Sequence, residues 1–185
     1  MATSEQEKRK ERFRYLKRKE ERNHKLPDLL KGLSEIAGQE INESNVLSIE
    51  ETDNFQIELN GTNHHLNYLN LNFPVTEVSK LSQVLSALKS DLNKPDNYLS
   101  LSHFRQYGLF KVDTSFVLEN FEKIIALDKD TLAVYDSTMQ NGFWIDYYEE
   151  YWFLDNKTQY LWTYELRVFG MDWIYKINNA NYALS

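Results

Sequence analysis

Two residues combine a titratable group with apolar surroundings, which is the setting that acid–base catalysis requires. Glu149 stands among aromatic residues on one side of a predicted strand, where desolvation would raise the pKa of its carboxyl group. The alternative is that it lies at the edge of the sheet or accepts hydrogen bonds from neighbouring tyrosine hydroxyls. His103 precedes Phe104, and such a histidine is more often a satisfied core residue than a general base. Because neither has a second catalytic group at a defined spacing, we predict no catalytic residues and no enzymatic activity.

Motifs for cofactors and metals are missing from the sequence. The chain of 185 residues contains no cysteine, and its six glycines are too far apart to build a phosphate-binding loop. His64 and His65 are adjacent, so in a strand they would point to opposite faces and could not share one ion. We expect a turn or surface position for this pair. The sequence therefore predicts neither a metal site nor a cofactor.

The aromatic C-terminal region offers a better candidate, because its pattern predicts a long β-hairpin. Strands at residues 143–154 and 160–169 flank a turn at residues 155–158. If Asn156 and Lys157 form a two-residue loop, the register pairs Asp146 with Arg167. One face of this hairpin is apolar except for Glu149, which predicts that it covers the core. That face consists of Ile145, Tyr147, Glu149, Tyr151, Phe153, Tyr160, Trp162, Tyr164, Leu166 and Val168.

The opposite face of the hairpin combines aromatic and acidic side chains, and we predict that it binds a partner. Aromatic rings bury a large area at low entropic cost, and the acids would attract a basic protein. The alternative is that another helix covers this face, so that its aromatic residues belong to the core. The predicted partner-binding residues are Trp144, Asp146, Tyr148, Glu150, Trp152 and Glu165.

Charge is divided unevenly along a chain whose net charge is −7. Residues 1–25 contain ten basic and five acidic residues, whereas residues 26–185 contain 11 and 23. The composition predicts a basic helical arm over 1–25, followed by a single acidic domain over 26–185. Pro27 is predicted to break the helix between them. Three roles are open for the arm: a solvated extension, a segment that docks on the acidic body or on a partner chain, or a weak nucleic-acid contact through residues 8–25. We expect its removal to cost little stability, because it has few apolar groups.

Hydrophobic periodicity along the rest of the chain predicts alternating groups of helices and short strands. Helices are predicted at 29–37, 76–92, 114–126 and 172–177. Strands are predicted at 46–49, 55–59, 69–73, 98–104 and 131–136. Because tight turns connect the strands, the expected fold class is α+β, with antiparallel strand meanders packed against several helices.

The segment Tyr164-Glu165-Leu166-Arg167-Val168-Phe169-Gly170-Met171-Asp172-Trp173-Ile174 resembles the C-terminal ends of small bacterial proteins of the immunity type, including the SUKH superfamily. The resemblance implies an acidic, cysteine-free, non-enzymatic α+β domain that blocks a basic toxin. Our leading hypothesis is therefore an immunity-type protein-binding module. The second is a component of a bacterial nucleic-acid-associated or defence assembly that uses the basic helix.

Cellular location and assembly can be addressed only in part. No apolar run is long enough to span a bilayer, and the N-terminus lacks the apolar segment of a secretory signal. We therefore expect a cytoplasmic protein with no membrane contact, and the sequence leaves its oligomeric state open.

Overall fold

The computed structural model describes residues 2–61, 67–129, 131–154 and 156–183, and it shows the predicted α+β fold. The helices are α1 Ala2–Ala37, α2 Ile49–Gly61, α3 Val78–Ser86, α4 Lys89–Leu92, α5 Phe104–Tyr107, α6 Val117–Asp128 and α7 Met171–Tyr182. The strands are β1 Tyr68–Pro74, β2 Asn97–Leu101, β3 Phe110–Val112, β4 Thr131–Tyr135, β5 Gly142–Leu154 and β6 Lys157–Phe169. Short 3₁₀ helices lie at Glu43–Asn45 and Val75–Glu77. His64 and His65 fall outside the described residues.

The six strands form one antiparallel sheet in the order β1-β6-β5-β4-β2-β3. The predicted strands at 69–73, 98–104 and 131–136 are confirmed as β1, β2 and β4, although β2 ends at Leu101. The long helix predicted at 76–92 is present as α3 and α4, with a turn between them. The helix predicted at 114–126 is confirmed as α6, which buries Val117, Phe121, Ile124 and Ile125.

The first helix continues through Pro27, so the predicted helix end at this residue is wrong. Proline in a helix interior costs about 3 kcal/mol, because it removes one hydrogen bond and crowds the preceding turn. Leu26, Leu29 and Leu33 lie on one side of α1 and are 3%, 6% and 0% exposed. Each buried leucine contributes about 1.5–3 kcal/mol, so their burial on both sides of the proline outweighs its cost.

Helix α2 occupies residues 55–59, where a strand was predicted, so that prediction is wrong. At 46–49, the other predicted strand, Val46 forms only an isolated bridge with Phe110 and α2 begins at Ile49. A capping box begins the helix: the Glu51 amide donates to Ser48 Oγ over 3.1 Å, and the Ser48 amide donates to Glu51 Oε2 over 2.7 Å. Phe55 is buried, whereas Ile57 is 67% exposed. Phe55 and Ile57 therefore match the alternating pattern of a strand although they lie in a helix.

The sheet separates two hydrophobic clusters of unequal size. On one face, the large core joins the C-terminal part of α1 with α3, α6 and α7, and it includes Phe143, Leu166 and Trp173. On the other face, a smaller cluster packs Phe55 of α2 against Phe169 and its neighbours. Helix α2 therefore covers only part of this second face, and the rest carries the candidate binding residues.

Candidate protein-binding surface

The six predicted partner-binding residues share one face of the sheet, but the register that pairs them differs from the predicted one. In the structure Tyr151 pairs with Tyr160 and Leu154 with Lys157, which is a shift of two residues from the predicted pairing. Lys157 is therefore paired rather than part of the loop, so the predicted Asn156-Lys157 loop is wrong. Asn156 adopts a φ of 59°, which such short hairpin loops require. Because side chains alternate with a period of two, this shift changes partners and leaves every residue on its predicted face.

Glu165 is the centre of a polar network on this face and is only 6% exposed. Asn70 Nδ2 donates to Glu165 Oε1 over 2.7 Å, and Arg167 Nη2 donates to Glu165 Oε2 over 2.6 Å. The hydrogen bond from Arg167, aided by that from Asn70, lowers the pKa of the Glu165 carboxyl group below its ordinary value despite its burial. Tyr148 is half-buried beside this carboxylate, and burial together with the charge of Glu165 raises the pKa of the tyrosine.

Asp146 and Arg167 form a weaker ion pair than the predicted register implies. Asp146 lies opposite Glu165, and Arg167 lies opposite Trp144, so the charged pair is diagonal across the two strands. Arg167 Nη2 is 3.8 Å from Asp146 Oδ2, compared with 2.6 Å from Glu165. The hydroxyl of Thr131 donates the shorter hydrogen bond to Asp146, over 2.6 Å. Asp146 is thus held by β4 as much as by the guanidinium.

The two tryptophans of this face are half-buried. Their exposure is thus intermediate between that of a free binding face and that of a core covered by a helix. Trp144 belongs to the smaller cluster, where its ring is 5.8 Å from that of Phe169. Trp152 donates from Nε1 to Thr163 Oγ1 over 2.7 Å. Glu150, also half-buried, accepts a hydrogen bond of 3.3 Å from Asn72 Nδ2. These residues present partly open rings and carboxylates rather than a buried core.

The other face of the hairpin carries the largest exposed aromatic group, which was predicted to be core. Its end away from the helices is exposed: Tyr151 by 74%, Phe153 by 71%, Tyr160 by 55% and Trp162 by 45%. Toward the helices the prediction is confirmed, because Ile145, Tyr164, Leu166 and Val168 are buried. The difference follows from strand length: β4 pairs with β5 up to Asp146, whereas β5 continues to Leu154. Beyond that point the hairpin extends past its neighbours.

Stacked rings support the projecting part of the hairpin. The ring of Tyr147 stacks on that of Tyr164 at 4.6 Å and on that of Trp162 at 4.7 Å, and Tyr151 contacts Tyr160 at 4.7 Å. Glu149 lies on the same face and is exposed, so it is not a buried carboxylate and the alternative, a position at the edge of the sheet, holds. Partial burial and the interaction with Glu149 raise the pKa of the Tyr160 hydroxyl.

His103 lies outside the core, contrary to its predicted core position. Its side chain is 50% exposed, and Nδ1 is 3.3 Å from Asp128 Oδ1. The residue follows β2 at the turn into α5. Within the described residues, no group of three or more His, Cys, Asp or Glu side chains could hold a metal ion. No described helix is both long and apolar enough to cross a bilayer.

The basic arm contacts the body of the protein over its second half. Arg18 forms an ion pair with Asp53 of α2 and donates from Nε to the carbonyl oxygen of Arg105 over 2.8 Å. Arg22 Nη1 donates to the carbonyl oxygen of Leu47 over 2.7 Å, and the hydroxyl of Tyr15 interacts with Glu50. This is the predicted alternative in which the arm docks on the acidic body, whereas residues 5–14 are exposed.

Comparisons of the chain with protein-family models, with curated proteins and with solved structures found no match. The arrangement of the hairpin, the acids and the arm is therefore the basis for assigning a function.

Proposed function

We propose that this protein is a protein-binding module and that the projecting β5–β6 hairpin is its principal contact with a basic partner. The hairpin surface comprises both faces of the ribbon. One face carries the exposed aromatics Tyr151, Phe153, Tyr160 and Trp162 with Glu149, and the opposite face carries Asp146, Glu150 and the buried Glu165. The single observation that carries this proposal is the exposure of four large aromatic side chains on one projecting ribbon.

Exposure of four large aromatic side chains to water is unfavourable in free energy, and a surface that covers them removes this cost. A contiguous apolar patch on a soluble protein is typical of an interaction site, and aromatic residues are enriched among those that dominate binding energy. The Tyr147–Trp162 and Tyr151–Tyr160 contacts hold the rings in place before a partner arrives. A preorganised ring loses little entropy on binding, which favours affinity.

The charge of the surface indicates a basic partner. The hairpin surface contains four carboxylates, against which the two strands offer Arg167 and Lys157. The Arg167 guanidinium is already engaged by Glu165 and Asp146. Glu149 therefore leaves negative charge beside the exposed rings, and Glu150 leaves it on the opposite face of the hairpin. Residues 26–185 as a whole contain 23 acidic and 11 basic residues. Complementary charge raises the rate of association and suppresses acidic competitors.

The sequence resemblance of residues 164–174 to immunity-type proteins supports a toxin as the basic partner, with binding in the cytoplasm of a bacterium. Under this proposal the module acts by occupying a surface of the toxin and carries out no reaction itself. The hairpin supplies the contact, and the helices that pack on the adjoining part of the same sheet face support its base.

Capture of proteins from the cells that produce this chain tests the proposal. The bait proteins are the wild type, a Tyr151→Ala/Trp162→Ala variant and a control, Tyr175→Ala, which removes a tyrosine that is 68% exposed on α7. We expect wild type and control to capture the same basic protein, and the double variant to lose it, as shown by mass spectrometry. Equal capture of one protein by all three baits would contradict the proposal.

A second candidate function is nucleic-acid contact through α1, and one observation favours it. Residues 5–17 of α1 are exposed and include Lys8, Arg12 and Arg14. Binding through phosphates would weaken steeply with salt, and we expect dissociation constants above about 10⁻⁶ M at physiological salt. Tight, sequence-dependent binding of DNA or RNA would favour this function over the hairpin surface.

A further inference from the structure

One edge of the hairpin is open along its whole projecting length. Among the described strands, β4 pairs with β5 from Gly142 to Asp146 and no further. Residues 147–154 of β5 then pair on their other side with β6. In an antiparallel strand, alternate residues direct their N–H and C=O groups to each side, so about half of these eight residues offer both groups to the open edge.

This edge contains no lysine or proline, which sheet proteins commonly use to prevent pairing, and its two charged residues, Glu149 and Glu150, disfavour an acidic strand. Exposed edges are commonly shortened, bulged, or protected by lysine and proline. Residues 147–154 contain no lysine, proline or glycine. By contrast, the projecting part of β6 begins with Lys157, and β1, at the side of the sheet, ends at Pro74. The open edge of β5 is thus the one best suited to accept a strand.

An open cavity lies beside the first part of this edge. Its volume is about 750 Å³, and on β5 it is lined by Asp146 and Tyr148 of one face and by Tyr147 and Glu149 of the other. It also includes residues of β6, namely Tyr160, Trp162, Glu165 and Arg167. Thr131, the first residue of β4, lies at its end. A chain in this cavity would continue the path of β4 along β5, with side chains reaching both faces of the hairpin.

We infer that the partner binds by adding an extended basic segment as a strand to the edge of β5 along residues 147–154. This inference rests on the proposed function and specifies how the hairpin surface engages its partner. Backbone hydrogen bonds would supply affinity, as in other cases of strand addition, and the alternating side chains would supply specificity. Positive side chains of the segment would meet Glu149 on one face and Glu150 on the other.

Charge disfavours pairing of this edge with the same edge of a second copy of this chain. Antiparallel pairing of two such edges would bring Glu149 and Glu150 of one copy near the same residues of the other. The segment 147–154 contains no basic residue that could compensate these charges. Like charges in cross-strand positions destabilise a pair, whereas opposite charges stabilise it.

Titration of the full-length, ¹⁵N-labelled protein with three synthetic peptides tests this inference. The first is an eight-residue peptide of the sequence Lys-Lys-Val-Val repeated twice, in which each lysine pair places one side chain on each face. The second has the same side chains but is N-methylated at every amide, so that neither of its edges can donate hydrogen bonds, and the third replaces lysine by glutamate. For the first peptide we expect chemical-shift changes and about tenfold slower amide exchange at alternate residues of 147–154, with little change at 157–162. The second and third should bind at least about tenfold more weakly.

A charge-reversed variant provides the matched test. Glu149→Lys/Glu150→Lys should reject the lysine peptide and bind the glutamate peptide, whereas Glu58→Lys/Glu119→Lys, which changes two exposed acids on α2 and α6, should behave as the wild type. Equal binding of the N-methylated peptide would overturn strand addition and leave the proposed surface in place. If no peptide binds and no hairpin variant loses partner capture, both the strand-addition inference and the proposed function are overturned.

Discussion

Arg18 of α1 and Asp53 of α2 form a two-pronged ion pair in which Nη1 and Nη2 donate to Oδ2 and Oδ1 over 2.8 and 2.9 Å. The same guanidinium also donates from Nε to the carbonyl oxygen of Arg105, so one side chain joins α1 to both α2 and α5. Parallel hydrogen bonds of this kind depend on the planar fork of arginine. The relationship shows that the basic arm, from about residue 15 onward, is part of the folded body.

The first prediction concerns this contact. A chain beginning at Leu26 loses Arg18, Arg22 and Tyr15, and we expect its melting temperature to fall by more than about 5 °C. A chain beginning at Tyr15 keeps these contacts and should melt within about 2 °C of the full chain. Arg18→Lys should cost up to about 1 kcal/mol, because the pair is partly exposed and lysine cannot make the paired bonds. Equal melting of both truncated chains would show that the arm contributes no stability, as its composition first indicated.

The second prediction compares three tryptophans by urea denaturation. Trp173 is 2% exposed in the large core, so Trp173→Ala should cost about 3–5 kcal/mol. Trp152→Ala loses the hydrogen bond to Thr163 and should cost about 1–2 kcal/mol. Trp162 is 45% exposed, so Trp162→Ala should cost less than about 1 kcal/mol. In partner binding we expect the opposite order for the two hairpin residues, with the larger loss for Trp162→Ala. A Trp162→Ala variant as unstable as Trp173→Ala would place the ring in the core.

The sequence pattern predicted which face each hairpin residue occupies, but not where the core ends along the hairpin. Alternation has a period of two, so a register error of two residues still places Trp152 and Trp162 on opposite faces. Whether a face is covered depends on how far β4 and the helices extend beside it, which is a tertiary property. The sequence did contain one signal for this boundary. The strand predicted at 131–136 is much shorter than the one predicted at 143–154, so it can cover only part of the longer strand.

Local signals also competed in the N-terminal half. The pattern Phe55-x-Ile57-x-Leu59 favours a strand, whereas Ser48-x-x-Glu51 is a capping box that favours a helix. The structure follows the capping box, because the buried residues Ile49, Thr52 and Phe55 recur every three positions against the sheet. Pro27 likewise signals a helix end, which the burial of leucines on both sides of it overrides.

The third prediction concerns the pH dependence of stability. Because Arg167 and Asn70 lower the pKa of Glu165 in the folded protein below its ordinary value of 4.5, the ionised form contributes stability above that value. This contribution is lost as the pH falls through the folded-state pKa. Glu165→Gln should therefore be less stable than the wild type at pH 7, and the difference should shrink toward pH 3. Urea denaturation across this range measures it.

Arg167→Met is the matched control for this effect, because it removes the other partner. The double variant Glu165→Gln/Arg167→Met should lose less stability than the sum of the two single variants, since the residues are in direct contact. A constant difference between Glu165→Gln and the wild type from pH 7 to pH 3 would mean that this carboxylate does not contribute through its charge.

The fourth prediction concerns the loop that sets the hairpin register. Asn156 has a φ of 59°, a conformation that glycine adopts freely and that costs alanine about 1–2 kcal/mol. Asn156→Ala should therefore lower stability by about 1 kcal/mol, whereas Asn156→Gly should remain within a few tenths of the wild type. Asn54→Ala, at an exposed site of α2, is the control and should be neutral or slightly stabilising. Contacts between the Tyr151 and Tyr160 protons in NMR spectra would report the register directly. The pairing predicted from the sequence would be supported by two results together. These are NMR contacts that place Phe153 directly opposite Tyr160, and equal effects of Asn156→Ala and Asn156→Gly on stability.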